Sequence, residues 1–271
     1  SPPPICLEAK DLRGGYEVTT PDRVWLAFNW LFHSRSASDM QRDFDGVVTK
    51  AMEGALHDFD AKARAFARLA GTDAGAPDIA GRVIPFSALR SQAFQLPGVA
   101  ERYRALETEL EANDNPLDVT RRLVAMLAGE ARLTGPAIVT GFSSLHYPHS
   151  HLDETRPLDR DFAAAIDRAR RTIEARHRTS FKRREYFTGI SDMSFFGVRA
   201  DESAGSVVAD NTPANLWVDR PPADALEYPV VNIGPWGREF HQRLERLYTP
   251  YAFDIFPRFI LEIACEMLQR P

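Results

Sequence analysis

The chain has 271 residues, of which 44% are hydrophobic and 26% charged, with a net charge of −5. This length suits one large domain or two modest ones with substantial cores, in an ordinary globular composition. The acidic balance gives no electrostatic basis for binding nucleic acid or an anionic membrane, and no apolar run approaches the roughly 20 residues of a membrane span.

In chain order, residues 5–7 read as extended, as does the stretch from 16 to 32. Its segment VWLAFNWLF (24–32) is rich in aromatic and branched residues and bounded by Gly14-Gly15 and Pro21, which favours a strand over a buried helix. From Met40 to Phe66, apolar residues recur at helical spacing; Ser36 or Ser38 can cap the start and Gly71 the end. A loop follows over 71–81, then a short strand at 82–86 (RVIPF). Helices are expected at about 98–112 and 118–130, separated by Asn113-Asp-Asn-Pro116. Gly135-Pro136 introduces a strand over 137–142. A helix spans about 159–177, with Phe162, Ile166, Ala169 and Ile173 on one face. The Pro- and Asp-rich stretch 200–228 reads as a surface excursion. A strand at 229–233, the turn Gly234-Pro-Trp-Gly237 and a last helix close the chain. In that helix Phe253, Phe256, Ile260, Ile263 and Met267 form a buried seam, and Pro257 kinks it or marks its first turn.

Cys6 and Cys265 lie among apolar residues at opposite ends of the chain. Two cysteines make no disulfide framework, and both read as buried, inert thiols in a reducing cytoplasm. The opening SPPPICLEAKDL has neither an initial Met nor a signal-peptide pattern, as in a trimmed chain or a piece of a longer one.

Of the seven histidines, His57 and His177 fall among helix charges and read as solvated, and His33, at the end of the expected strand, reads as a loop residue. His149-Ser-His151-Leu-Asp153 has a local metal-ligand spacing, because alternate residues of an extended segment point the same way. The competing reading is a polar loop in which His146 and Tyr147 line a cleft. Gly189-Ile-Ser-Asp192 is a small turn. Either Ser191 or Asp192 caps a helix, or the turn presents backbone N–H groups and a carboxylate to a substrate. His241 and Glu245 lie one helical turn apart if the last helix starts early, just beyond a strand end, where open α/β sheets bind ligands. The alternative is a capped surface histidine. No Ser-His-Asp set, Gly-rich phosphate loop or CxxC pair is visible.

Three segments in order carry a resemblance: TPDRVWLAFNWLFHSRSASDM with its long helix, GISDMSFFG, and VVNIGPWGREFHQRLERLYTPY. Together they resemble the zinc-dependent aminoacylase, desuccinylase and glutamate-carboxypeptidase family of metallopeptidases, within it most closely the RocB-like, arginine-utilisation branch. The resemblance implies an α/β fold, with a ferredoxin-like lid or dimerisation domain over residues 1–155, an insertion at about 72–130, and the C-terminal part of the catalytic domain over 156–271. It implies that His241 ligates zinc through neutral imidazole, with Glu245 orienting it, and that Gly189, Ser191 and Asp192 position substrate. The family's remaining metal ligands and its general-base Glu precede the lid, and no positions here match them. The expectation is therefore the C-terminal portion of an enzyme that cleaves peptides or N-acyl amino acids. It is expected to be metal-free and inactive until an N-terminal half or second chain completes a site for one or two zinc ions, and to form a homodimer through the lid. The alternative is a non-catalytic interaction or dimerisation module that has lost the metal site.

Overall fold

A computed structural model of the chain describes residues 3–15, 18–32, 35–72, 79–148, 151–185, 189–197, 202–222 and 224–268. The chain divides into two compact units: residues 2–146 with 200–221, and residues 147–199 with 222–271. Helices and short strands alternate, giving the expected mixed α/β class. Among the described residues the strands pair only in twos.

In the larger unit, β1 (Ile5–Asp11) and β2 (Val24–Asn29) form an antiparallel pair, with a register shift between Cys6 and Glu8. The next element, α1 (Ala37–Ala70), has ends fixed by the two residues that the sequence marks. Ser36 accepts a hydrogen bond from the Asp39 backbone N–H, and Asp39 accepts one from the Ser36 backbone N–H, a reciprocal capping box. Gly71 closes the helix at φ 64°, a left-handed conformation that glycine adopts without a Cβ penalty.

A parallel pair follows, β3 (Arg82–Pro85) beside β4 (Ala137–Thr140). Between them run α2 (Phe86–Ala93), α3 (Val99–Glu109) and α4 (Pro116–Glu130). Their facing side chains make the principal core: Phe86 and Leu89 of α2, Val99 and Tyr103 of α3, Leu123 and Leu127 of α4. Burying each large apolar side chain contributes roughly 1.5–3 kcal/mol.

The sequence gives no sign of α2, because its N-terminal cap lies far away in the chain. The Ser87 backbone N–H donates to Asn211 Oδ1 at 3.1 Å. The first part of the stretch expected to be a surface excursion is built into this unit, while residues 224–228, in the other unit, are exposed as expected. That first part contains α6 (Glu202–Asn211), numbered after α5 of the other unit, and Val208, Asn211, Thr212 and Ala214 are buried. Polar residues can be buried here because each is satisfied: Thr212 Oγ1 donates to the Val208 carbonyl at 2.7 Å, and Asn211 Nδ2 to the Val207 carbonyl at 3.0 Å. Tyr103 OH donates to the Pro213 carbonyl at 2.5 Å, and burial pushes its pKa well above the usual phenol value. Gly141 lets the backbone of β4 reach Asn211, since a Cβ there would stand 2.6 Å from the Asn211 carbonyl oxygen.

The smaller unit rests on α5 (Pro157–His177) and α7 (Phe256–Leu268). Ala169 and Ile173 pack against Phe259 and Ile263, and Phe181 lies 4.5 Å from the Phe259 ring. Arg168 pairs with Glu266 at 2.5 Å along the same seam. A wide helical turn over Tyr251–Ile255 precedes α7, and Pro257, which has no N–H to donate, sits in the first turn after it. Within α7 the buried face centres on Phe259 and Ile263, one helical turn apart. Phe253 and Ile260, both expected in the seam, are exposed. No strand forms over 229–233; Tyr228 and Val230 pack instead on Gly197, where a Cβ would stand 2.2 Å from the Tyr228 carbonyl oxygen.

Neither thiol is buried as expected. Cys6 is exposed on β1 and Cys265 half-buried on α7, and both are free. No described helix is long and apolar enough to cross a membrane.

Replacing Ser36 by Ala should destabilise the larger unit by about 1 kcal/mol in urea melts read by circular dichroism. The Ser36 hydrogen bonds hold the Asp39 carboxyl below its usual pKa. Its contribution is therefore present above about pH 4 and lost as pH falls further, so the variant's deficit should shrink in acid.

Candidate functional site

His241 lies between two very short paired strands, β5 (Gly237–Arg238) and β6 (Arg246–Leu247). The second glycine of Gly-Pro-Trp-Gly explains this hairpin. A Cβ at Gly237 would stand 2.6 Å from the Arg246 carbonyl oxygen, so only glycine admits the approach. Tyr248 N–H donates to the Trp236 carbonyl at 2.9 Å, and the two rings lie 4.9 Å apart. Across the loop, Arg246 Nη1 donates to Glu239 Oε2 at 2.7 Å.

The segment between the strands is a series of turns, with Gln242 N–H on the Glu239 carbonyl and Glu245 N–H on the Gln242 carbonyl. Glu239 (φ 58°) and His241 (φ 59°) both take the left-handed conformation, uncommon for residues other than glycine. His241 and Glu245 are exposed. The expected helix start at His241 is therefore corrected to a hairpin. The spacing of four that would stack Glu245 on His241 belongs to a helix, and that geometry does not form.

In the same unit, Ser191 caps a single tight turn, Asp192–Phe195, its Oγ accepting from Met193 N–H at 3.3 Å. Gly189 is half-buried and Asp192 exposed. Gly197 (φ 61°) ends the segment against Tyr228, and Phe195 packs on Tyr147 at 4.9 Å. The capping reading of this turn describes its hydrogen bonding; the Asp192 carboxylate faces outward from it.

The residues of the second candidate fall in both units, and each is described within its own. His146 belongs to the larger unit, stacked on Phe32 at 5.7 Å and edge-on to Phe142 at 5.6 Å. His149 lies outside the described residues, as does His33. His151 is exposed. Asp153 serves the turn that opens α5: Oδ1 accepts from Thr155 N–H at 3.0 Å and from its Oγ1 at 2.6 Å, while Asp153 N–H donates to the buried Asp159 at 2.8 Å. Among the described residues no group of three or more His, Cys, Asp and Glu side chains converges.

His177, read as solvated, is half-buried, with its Nε2 enclosed and without a hydrogen-bond partner among the described residues. Its neighbours in sequence are charged, and no local signal reveals the burial.

Two curated proteins of Bacillus subtilis (strain 168) are similar to this chain. "Uncharacterized protein YqjN" is 29% identical over 263 residues, covering 95% of this chain and 46% of the relative. "Protein RocB" is 23% identical over 282 residues, covering 98% of this chain and 48% of the relative. The chain thus spans about half the length of the curated relatives it matches, and it has distant, nearly full-length similarity to a RocB-like group. No family model matches, and no solved structure matches.

An alanine at Gly197 combines a left-handed backbone with a clash against Tyr228. It should cost more than about 2 kcal/mol. Hydrogen exchange should show the loss confined to the unit of residues 147–199 and 222–271.

Proposed function

We propose that this chain is the C-terminal portion of a metal-dependent hydrolase that cleaves amide bonds in peptides or N-acyl amino acids. In this reading His241 is the chain's one imidazole donor to the metal, with zinc the expected ion. The observation that carries the reading is the hairpin itself. The Gly-Pro-Trp-Gly turn closes only with glycine at 237 and places His241 outward at its tip in a constrained, left-handed backbone. Distant similarity to RocB and YqjN along almost the whole chain supports the placement in such a group.

The donors of this chain do not by themselves fit a zinc ion. A catalytic zinc takes about three protein ligands, and one exposed imidazole falls short of that. No bond-breaking step is therefore assigned to residues of this chain. What they contribute is presentation: His241 offers a ring nitrogen at the hairpin tip, while the turn at Gly189, Ser191 and Asp192 offers a carboxylate and backbone donors to a substrate. Glu245 is a loop neighbour of His241 and no longer a geometrically defined orienting group. The general base, the other metal ligands and a partner that completes the site are assigned to polypeptide outside this chain. A cytoplasmic setting and a dimer through residues 1–155 belong to the same reading. The second reading, a non-catalytic interaction module, draws on the exposed apolar side chains around the same hairpin.

Competition with a chromophoric chelator separates these readings. The chain alone should bind no zinc at stoichiometric metal, with or without His241→Ala, and should hydrolyse no N-acetyl amino acid. Submicromolar zinc binding that survives His241→Ala would sink the assignment and move the metal to residues 149–153.

A further inference from the structure

We infer that the C-terminal end of α5 and the chain that folds back from it form a binding site for a compact multivalent oxyanion, a phosphate or a polycarboxylate. The inference requires neither a metal nor His241. Residues 168–185 hold eight Arg and Lys against two Glu, in a chain whose net charge is −5. Four of these cations are engaged: Arg168 with Glu266, Arg170 with Asp167 and Glu174, Arg176 with Glu262, and Arg183 with Glu154 and Asp167. The other four, Arg171, Arg178, Lys182 and Arg184, are exposed, and none has a hydrogen-bond or ion-pair partner among the described residues.

Two pins gather these four around one strip of surface. Arg171 and Arg178 are seven residues apart, two turns of α5, so they share a face about 10 Å long. Asp167 and Glu174 repeat the same spacing on the adjoining stripe. Beyond Arg178 the chain turns back. Phe181 N–H donates to the Glu174 carboxylate at 2.7 Å, and Arg183 reaches Asp167 at 3.8 Å. Residues 181–184 therefore run along the Glu174–Asp167 stripe, with Lys182 and Arg184 on either side of Arg183 in the chain. The Phe181 ring, 4.5 Å from Phe259, anchors the segment in the core, so the cations are placed before a ligand arrives. Arg178 takes φ 49° at the helix cap, a left-handed conformation that favours glycine.

The charges select the ligand. Like charges on one strip repel one another, and the nearest carboxylates are already engaged: Glu174 by Arg170 and Phe181 N–H, Asp167 by Arg170 and Arg183. Glu185, beside Arg183, is the remaining acid of the segment. An anion that accepts from the four free donors removes the repulsion. Three of the four are guanidinium groups, whose forks match phosphate and carboxylate oxygens in pairs. The net charge of −5 favours a compact ligand. Beyond about 8 Å, a Debye length at physiological salt, a long polyanion meets the acidic remainder of the chain, whereas a small one meets the four cations alone.

The test is isothermal titration calorimetry of the metal-free chain with inorganic tripolyphosphate and with citrate. Stoichiometric binding with a Kd of about 100 μM or tighter is expected at low salt, weakening as salt rises. Arg178→Gly should weaken it at least about fivefold. The melting temperature of that variant should hold or rise, because glycine suits the left-handed cap, so lost binding would not be lost folding. Lys62→Gln, which removes a charge from the exposed surface of α1, should leave the affinity unchanged. A preference for tripolyphosphate makes the ligand a phosphate and a preference for citrate makes it a polycarboxylate; both uphold the site. Unchanged affinity in Arg178→Gly, or equal weakening by Lys62→Gln, would overturn it. A single-stranded oligonucleotide held more tightly than either small anion would also overturn it and make the strip a polyanion surface.

Discussion

Two turns of α5 against two turns of α7 hold together everything that surrounds His241. Ala165 and Ala169 are fully buried and small, which lets α7 approach closely enough for Phe259 and Ile263 to close over Ile173. The loop after α5 is then drawn onto this pair. Phe181 inserts beside Phe259, its backbone N–H donates to Glu174 at 2.7 Å, and Arg183 reaches Glu154 and Asp167. These ion pairs are half-exposed and individually worth little, so the apolar contact supplies most of the stability and the charges fix its register. The hairpin leads directly into the wide turn before α7, where Ala252 N–H donates to the Tyr248 carbonyl at 3.0 Å.

The larger unit is organised by a different constraint. The start of α2 and the end of β4 leave backbone donors, at Ser87 and Phe142, that Asn211 satisfies from far away in the chain. Gly141 makes room for it, and the Tyr103 hydroxyl pins the chain just beyond. A polar residue is thus a central part of an apolar core, because an unpaired backbone N–H buried there would cost more than placing an asparagine beside it.

Local signals are legible in the sequence and long-range ones are not. Ser36 and Gly71 fix α1 within its own neighbourhood, and the apolar runs at 82–85 and 137–140 give β3 and β4. By contrast α2 takes its cap from Asn211, and the Asp- and Pro-rich composition of 200–221 conceals a helix that is buried by satisfying its own polar groups. The last helix is legible but its buried face is not, because the apolar residues of 253–267 surround the helix and the partner α5 selects the Phe259–Ile263 side. At the candidate site, the turn at 234–237 and the prominence of His241 are readable. The hairpin is not, since the close pass of Gly237 by Arg246 is a cross-strand contact that helical spacing cannot anticipate.

Whether His241 presents its imidazole to a site finished by other polypeptide can be tested with nitrogen-15-labelled histidine, following all seven imidazoles by NMR during zinc addition, in the isolated chain and in a full-length chimera in which it replaces the 263 matched residues of YqjN. Among this chain's histidines only the His241 ring nitrogens should shift at stoichiometric zinc, and only in the chimera. Stoichiometric shifts at His149 and His151 with His241 unmoved would contradict it.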